Sequence, residues 1–182
     1  DGCETGIVRG AYRLTGNVNN DPPMIRLLGS GPIMKNVISA SEDLNGRGIT
    51  TEIWSVTSYG ELRREGLEFE RIKRFDPKHE GVPYVEACFG DGVPTVAASD
   101  YIAAVPEMIQ RWMKGEFLPL GTDGFGRSDT REELRRFFEV DSDSIVLASI
   151  SLLERQGAIP PGSSASFAEE AGLSYERKDV TL

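Results

Sequence analysis

The chain has 182 residues, of which 39% are hydrophobic and 27% are charged. This composition is typical of one soluble globular domain with a sizeable core, and it excludes a disordered chain. The formal net charge of −9 argues against nucleic acid or an anionic membrane as a partner, because both require basic patches.

The sequence also gives expectations about the compartment. Its longest apolar stretch, residues 145–153, is interrupted by serines and is too short to span a bilayer. No basic segment followed by an apolar one opens the chain, so a secretory signal is unsupported. Cys3 and Cys88 are too few and too far apart for a metal or redox motif. We therefore expect a cytoplasmic protein.

The first third of the chain alternates between strand-like and helix-like segments. Proline at position 32 suits a first helical position, and Val37, Ala40 and Leu44 then follow one face at helical spacing. The β-branched and aromatic residues that follow Ile49 favour a strand. The segments predicted here are a strand over 7–14, a loop over 17–23, a short strand over 24–28, a helix from 32 that stops at 45–46, and a strand over 50–56.

A longer helix is predicted to begin after Ser58, which forms a Ser-x-x-Glu capping box with Glu61. Apolar residues then recur at steps of three and four, as in a helix with one buried face. The remaining positions are nearly all charged and are interpreted as a solvated face. Ion pairs are expected there for Arg64–Glu68 and Glu70–Arg74.

The rest of the chain continues this alternation. The predicted segments are a short helix over 82–89, a strand over 95–98, a helix over 101–113 that Pro106 kinks or divides, a strand over 117–120, helices over 131–138 and 142–156, and a short helix from Ser166. Repeated alternation implies crossover connections. We therefore predict an α/β fold with a mainly parallel sheet between two layers of helices.

The chain is expected to divide into three parts. Residues 1–23 are predicted to form an N-terminal strand and loop that lead into the domain, and residues 24–159 the α/β domain itself. Residues 160–182 are predicted to form a C-terminal tail with a polar end.

The most distinctive stretch lies between the strand over 117–120 and the helix over 131–138. Its three glycines allow positive φ angles, and the two residues before the helix begin overlapping capping boxes. Open α/β folds place ligands or build interfaces at such strand–helix turns. The stretch comprises Gly121, Thr122, Asp123, Gly124, Phe125, Gly126, Arg127, Ser128 and Asp129.

A second turn, Gly29, Ser30 and Gly31, precedes a predicted helix start and is a candidate for binding a small anion. It does not complete a dinucleotide fingerprint, because Met34 stands where the third glycine is needed. Lys35 does not make it a P-loop, which requires a Gly-Lys-Ser/Thr ending. A tight turn between strand and helix is the other interpretation.

No complete active site can be assembled from the sequence. Gly90-Asp91-Gly92 resembles the start of a thiamine diphosphate motif, but no asparagine follows Asn45 anywhere in the chain to supply its other oxygen ligand. His79 is the single histidine and cannot form a metal cluster alone. We therefore expect no catalytic, cofactor-binding or metal-binding residue in this chain.

Five segments resemble one enzyme family, in the order in which that family has them. They are residues 27–31, LLGSG; 54–65, WSVTSYGELRRE; 82–85, VPYV; 98–101, ASDY; and 120–133, LGTDGFGRSDTREE. The family is the homodimeric type of pyruvate dehydrogenase, the thiamine diphosphate-dependent decarboxylating component. The resemblance is to its C-terminal, transketolase-like third domain and covers nearly the whole chain.

The resemblance implies a mixed, mostly parallel five-stranded sheet flanked by helices. It also implies that thiamine diphosphate and magnesium belong to the complete enzyme and lie between two preceding domains, so no catalytic residue is carried over. The third domain of the family is understood mainly to help dimer assembly, which makes Arg127 and Asp123 candidates for contacts with neighbouring domains or the dimer mate.

The chain departs from the family pattern at several positions. Ile72-Lys73 stands where Trp-Asn is usual, and Pro32 replaces a hydroxyl residue. The 2-oxoacid, and the choice between a domain and a separate subunit, therefore stay open. The expected partners are the thiamine-binding domains or subunits, a second copy, and the acyltransferase core of a dehydrogenase complex. The alternative hypothesis is a regulatory module for small anions or a protein-interaction module.

Overall fold

The computed structural model describes residues 3–16 and 22–176. Its centre is a five-stranded sheet in the order β1-β3-β2-β4-β5, in which β1 is antiparallel to β3 and all other neighbours are parallel. The strands are β1 (Ala11–Gly16), β2 (Met24–Gly29), β3 (Thr50–Val56), β4 (Thr95–Ala98) and β5 (Phe117–Leu120). The predicted α/β class, with a mixed and mostly parallel sheet, is confirmed.

Helices cover both faces of this sheet. They are α1 (Glu4–Arg9), α2 (Met34–Gly46), α3 (Tyr59–Phe75), α4 (Tyr84–Phe89), α5 (Ala104–Glu107), α6 (Arg131–Phe137), α7 (Ser142–Arg155) and α8 (Ser163–Glu170), with 3₁₀ turns at Gly31–Ile33 and Gln110–Trp112. The central strands β2 and β4 are buried almost throughout, as a parallel sheet requires when both faces are covered. Within the described ranges, no helix is long and apolar enough to cross a membrane.

The first face of the sheet packs against α2, α7 and α8. Ile25 and Leu27 of β2 meet Val37 of α2 and Leu152 of α7 in one apolar cluster. Phe167 brings α8 into the same cluster. Glu154 fixes the start of α8, because its carboxylate accepts the backbone N–H groups of residues 162 and 164.

The second face packs against α3, α4 and the turn Gln110–Trp112. The predicted cap of α3 is confirmed, since Ser58 Oγ accepts the backbone N–H of Glu61 at 3.1 Å. Gly66 lies directly against the Trp112 ring, where a Cβ atom would come within 2.5 Å of the indole. This close approach requires glycine at position 66 and lets α3 pack against the turn Gln110–Trp112.

The predicted ion pairs of α3 are wrong. Arg64 pairs with Glu61 instead of Glu68, and Glu68 pairs with Arg71. Glu70 pairs with Arg111, which lies outside the helix. Both pairs within α3 therefore use the i,i+3 spacing, which places side chains on one helix face as i,i+4 does.

Three predicted segments also differ from the structure. Residues 7–14 were expected as one strand, but α1 extends to Arg9 and β1 begins only at Ala11, because Gly10 closes the helix with a left-handed φ of 107°. The helix predicted over 101–113 is divided into two short helical pieces, as the presence of Pro106 indicated, but it begins only at Ala104, and the break lies after α5, which contains Pro106. The helix expected from Ser166 begins earlier, at Ser163.

The division at residues 23 and 159 stays a prediction. In the structure, β1 pairs with β3 and α8 packs on α7. Residues 17–21 of the expected loop and the polar end beyond residue 176 lie outside the described ranges.

One charged cluster lies inside the second face. Arg26 of β2 is 1% exposed, and its Nε donates to Glu52 of β3 at 2.7 Å. Its two terminal nitrogens donate to the carboxylate of Asp91 at 2.9 and 2.6 Å. This bidentate contact explains Gly90-Asp91-Gly92 as part of a structural ion pair.

The Arg26–Asp91 contact predicts a dependence of stability on pH. Partial burial alone would raise the pKa of the Asp91 carboxyl, but the hydrogen bonds and charge of Arg26 outweigh it, and the folded-state pKa is lowered. Because the pKa is lower in the folded state, this carboxylate stabilises the protein fully at pH values above its pKa in the unfolded state, which is about 4. The stabilisation is lost as the pH falls through the folded-state pKa.

We expect Asp91→Asn to make the loss of stability at acidic pH less steep. The urea midpoint of the original protein, followed by circular dichroism, should fall more steeply between pH 5 and pH 2 than that of the variant. Glu80→Gln is the control, since Glu80 is exposed and makes no hydrogen bond or ion pair within the described ranges. Parallel curves for Asp91→Asn and the original protein would contradict this assignment.

Candidate functional site

The candidate site lies at the carboxyl edge of the sheet, between β2 and β4. From these two neighbours the chain proceeds in opposite directions, to β3 on one side and to β5 on the other. Such a point, where the strand order reverses, leaves a crevice in which open α/β folds bind ligands. The loops after β2, β4 and β5 meet there.

The first two loops are joined by buried hydroxyl groups. Ser30, after β2, donates its Oγ proton to Ser99 Oγ at 3.0 Å, and both side chains are buried. Ser99 Oγ also accepts the backbone N–H of Tyr101 at 3.1 Å. The predicted anion-binding turn of Gly29, Ser30 and Gly31 therefore has its hydroxyl engaged inside the fold. Anion binding by these three residues stays a prediction.

The beginning of the glycine-rich loop is fixed to the loop after β4. Thr122 donates its N–H to the Tyr101 carbonyl at 2.9 Å and its Oγ1 proton to the Asp100 carbonyl at 2.8 Å. Asp123 accepts the backbone N–H of Ala103 at 3.3 Å. A Cβ atom at Gly121 would lie 2.3 Å from the Ala103 nitrogen, so this contact requires glycine.

The remainder of the loop is exposed. Gly124 adopts a φ of 116°, which favours glycine, and the Phe125 side chain is 82% exposed at the tip. Arg127 stacks on Phe137 of α6, with its Cζ atom 4.2 Å from the ring centroid. The predicted loop thus has a fixed first third and an exposed remainder.

At the start of α6, only one of the two predicted capping residues caps the helix. Thr130 is the cap, because its Oγ1 accepts the backbone N–H of Glu133 at 3.3 Å. Asp129 instead accepts the N–H of its neighbour Thr130 at 2.7 Å. Arg131 and Arg135, one turn apart on α6, consequently face the same side.

Between this loop, α6 and the turn after β2 lies a cavity of about 460 Å³. Ile33, Leu134, Phe138 and Val140 form its apolar wall, while Asp100, Arg127, Arg131 and Arg135 supply its charges. Arg135 is held in place, since it donates to Asn36 Oδ1 at 3.2 Å and to the Pro32 carbonyl at 3.3 Å. The cavity is lined by part of the predicted glycine-rich loop, whereas the predicted turn of Gly29, Ser30 and Gly31 contributes no lining residue and only precedes Pro32 and Ile33.

The family model described as the transketolase-like TK C-terminal domain matches residues 10–141. The chain belongs to this family.

Two curated relatives of this transketolase-like domain are much longer proteins than the chain itself. The pyruvate dehydrogenase E1 component of Pseudomonas aeruginosa is 41% identical over 182 residues, covering 98% of this chain and 21% of that protein. The E1 component of Mycobacterium tuberculosis is 38% identical over 168 residues, covering 91% and 18% respectively. The chain thus spans about a fifth of the length of these curated relatives.

A solved structure with the same fold is the transketolase from Leishmania mexicana. It matches with a TM-score of 0.57 at 21% identity, over 89% of this chain and 21% of that one. This likeness shows that the transketolase-like domain here has the fold found in part of a transketolase.

The other side chains considered from the sequence do not converge on this edge of the transketolase-like domain. His79 lies beside the Phe69 ring, with centroids 5.0 Å apart. Cys3 and Cys88 are both free thiols. Among residues 3–16 and 22–176, no three His, Cys, Asp or Glu side chains are grouped as metal ligands would be.

Of the four charged residues of the cavity, only Arg127 was predicted from the sequence; Asp100, Arg131 and Arg135 were not. For Arg131 and Arg135, the available signal was their spacing of four on a predicted helix directly after a glycine-rich turn. It was not sufficient, because nothing local shows that α6 faces the loop after β2 across a cavity.

Proposed function

We propose that the chain is the C-terminal domain, or a separate subunit, of a thiamine diphosphate-dependent pyruvate (2-oxoacid) dehydrogenase decarboxylating component. The observation that carries this proposal is identity of about 40% to proteins named pyruvate dehydrogenase E1 component across almost the whole of this chain. In this proposal the chain supports dimer assembly, works in the cytoplasm and has activity only within the complete enzyme.

The carboxyl edge supports a role in assembly. Tyr101, Ile102 and Phe125 are all largely exposed there, on the two loops that Thr122 joins. Exposed aromatic and aliphatic side chains grouped on neighbouring loops are typical of protein contacts. The partner in this proposal is the thiamine-binding part of the same enzyme or a second copy, and an acyltransferase core is a further partner.

The cofactor part of the proposal is tested by calorimetric titration of the 182-residue chain. We expect thiamine diphosphate with magnesium to give no binding heat, because the proposal places the cofactor between two other domains. Micromolar binding by this chain alone would overturn that part. The coding sequence directly upstream provides a second test, since thiamine-binding domains are expected in the same frame or in a neighbouring one.

The assembly part predicts an effect of Phe125→Ser. In a protein that joins this chain to the thiamine-binding domains, we expect the variant to weaken dimerisation about tenfold or more. The reason is that a buried aromatic anchor at an interface typically contributes at least 1–2 kcal/mol. Sedimentation at a series of protein concentrations measures the change.

Phe75→Ser is the matched control for this variant. Phe75 is 81% exposed, almost the same as Phe125, but it ends α3 at the opposite edge of the sheet. It should leave dimerisation unchanged, and both variants should keep the circular dichroism spectrum of the original. An equal effect of the two substitutions would count against the carboxyl edge as the interface.

A further inference from the structure

The cavity at the carboxyl edge holds three arginines whose charges are not neutralised. Within the described ranges, Arg127, Arg131 and Arg135 take part in no ion pair. Arg127 contacts a ring and Arg135 contacts neutral oxygens. Three unpaired guanidinium groups on one cavity are unexpected in a protein of net charge −9, which has carboxylates in excess.

The rest of the cavity wall is apolar, with one acceptor. Ile33 and Val140 are buried, and Leu134 and Phe138 are half-buried beside them. The carboxylate of Asp100 lies on the same cavity. With three cations and one anion, the cavity carries an excess of about two positive charges.

We propose that this cavity binds an organic phosphate, a phosphate monoester with an aromatic or aliphatic body. Guanidinium groups match phosphate oxygens in bidentate geometry, and a phosphate monoester carries close to two negative charges near neutral pH. The apolar wall receives the body of the ligand, and Asp100 accepts a hydrogen bond from it.

The size of the cavity fits such a ligand. About 460 Å³ lies within the range of pockets that hold small molecules, roughly 300–1,000 Å³, and exceeds the need of a bare phosphate ion. The combination of an apolar wall with a few placed charges is typical of these pockets. The inference does not depend on the proposed function, since it concerns residues of this chain alone.

The test is a calorimetric titration of the 182-residue chain at low ionic strength with four probes. We expect phenyl phosphate to bind more tightly than inorganic phosphate, because only phenyl phosphate contacts the apolar wall. It should also bind more tightly than phenol, which lacks the charge, and benzoate, which carries a single charge. Binding of benzoate as tight as that of phenyl phosphate would overturn the phosphate assignment.

Arg131→Gln locates the binding. Removing one charge-assisted contact should weaken phenyl phosphate about tenfold or more. The control is Arg63→Gln, at an exposed arginine of α3 on the other side of the sheet, which should bind as the original does. Arg127→Gln serves as a second variant if Arg131→Gln loses its circular dichroism spectrum.

Two outcomes would overturn the proposal. One is the absence of phenyl phosphate binding at millimolar concentration, and the other is an equal loss of binding in Arg131→Gln and Arg63→Gln. If phenyl phosphate does not bind but Arg131→Gln weakens association with the thiamine-binding domains, the arginines belong to a protein contact. Neither result affects the titration with thiamine diphosphate, so this proposal can be wrong while the proposed function is right, and the reverse.

Discussion

Arg26→Met is expected to lower the free energy of unfolding by about 3–5 kcal/mol, because it leaves a buried carboxylate without its partner. Glu52 is only 6% exposed, and its Oε2 atom accepts the Arg26 Nε–H at 2.7 Å. Asp91 loses its bidentate contact at the same time. Urea unfolding followed by circular dichroism measures the loss.

The control for Arg26→Met is the same substitution at Arg64. Arg64 also pairs with a glutamate, Glu61, but both side chains are exposed to water. Exposed ion pairs contribute little to stability, so Arg64→Met should leave the urea midpoint nearly unchanged. Similar losses for the two variants would show that burial of the Arg26 cluster does not determine its effect.

A double variant tests whether Arg26→Met is destabilised by the unpaired charge or by the change in side-chain volume. Arg26→Met combined with Glu52→Met removes both charges and keeps apolar volume in the same place. Replacement of a buried pair by apolar residues is often neutral or stabilising. The double variant should therefore be more stable than Arg26→Met alone, although Arg13 loses its contact with Glu52 as well.

Gly121→Ala is expected to lower the free energy of unfolding by about 1–3 kcal/mol, as overpacking of a closely packed site typically does. The new Cβ atom would lie 2.3 Å from the Ala103 nitrogen and 2.7 Å from the Tyr101 carbonyl oxygen. Both are backbone atoms, which cannot rotate away as a side chain can. The loops after β4 and β5 must therefore separate.

Hydrogen exchange gives Gly121→Ala a local measurement as well. The Thr122 amide donates to the Tyr101 carbonyl at 2.9 Å, so its exchange should become faster when the loops separate. Gly126→Ala is the matched control, because nothing lies within 4 Å of a Cβ atom there and the φ angle is not positive. It should change stability by no more than about 0.5 kcal/mol. Equal effects of the two substitutions would contradict the close contact at Gly121.

Much of the sheet and its helices could be predicted from local signals. The strand over 50–56 coincides with β3, the strand over 117–120 coincides with β5, and Ser58 caps α3 as its capping box indicated. These signals are local because capping, β-propensity and helical periodicity depend on residues within a few positions. The family resemblance added the number of strands and is confirmed by the match of residues 10–141.

The prediction failed where a distant contact or a single backbone angle decides the structure. Ile7 and Val8 favour a strand by propensity, but they lie in helix α1, which Gly10 ends with a left-handed backbone angle. Glu154 caps α8 from the preceding helix, which moves the start of α8 before Ser166. Such effects override propensity, since propensities differ by less than about 1 kcal/mol per residue.

For the candidate site, too, part could be predicted from the sequence and part could not. By itself the sequence determined the α/β class, the strand–helix turn at 121–129 and the family of the chain, because glycine spacing, caps and motifs are written in consecutive residues. The tertiary structure alone decided that the loop after β5 is joined to the loop after β4, and that Arg131 and Arg135 face Ile33 across one cavity. Those residues lie about 100 positions apart in the chain, so their proximity follows from the strand order and not from any local pattern.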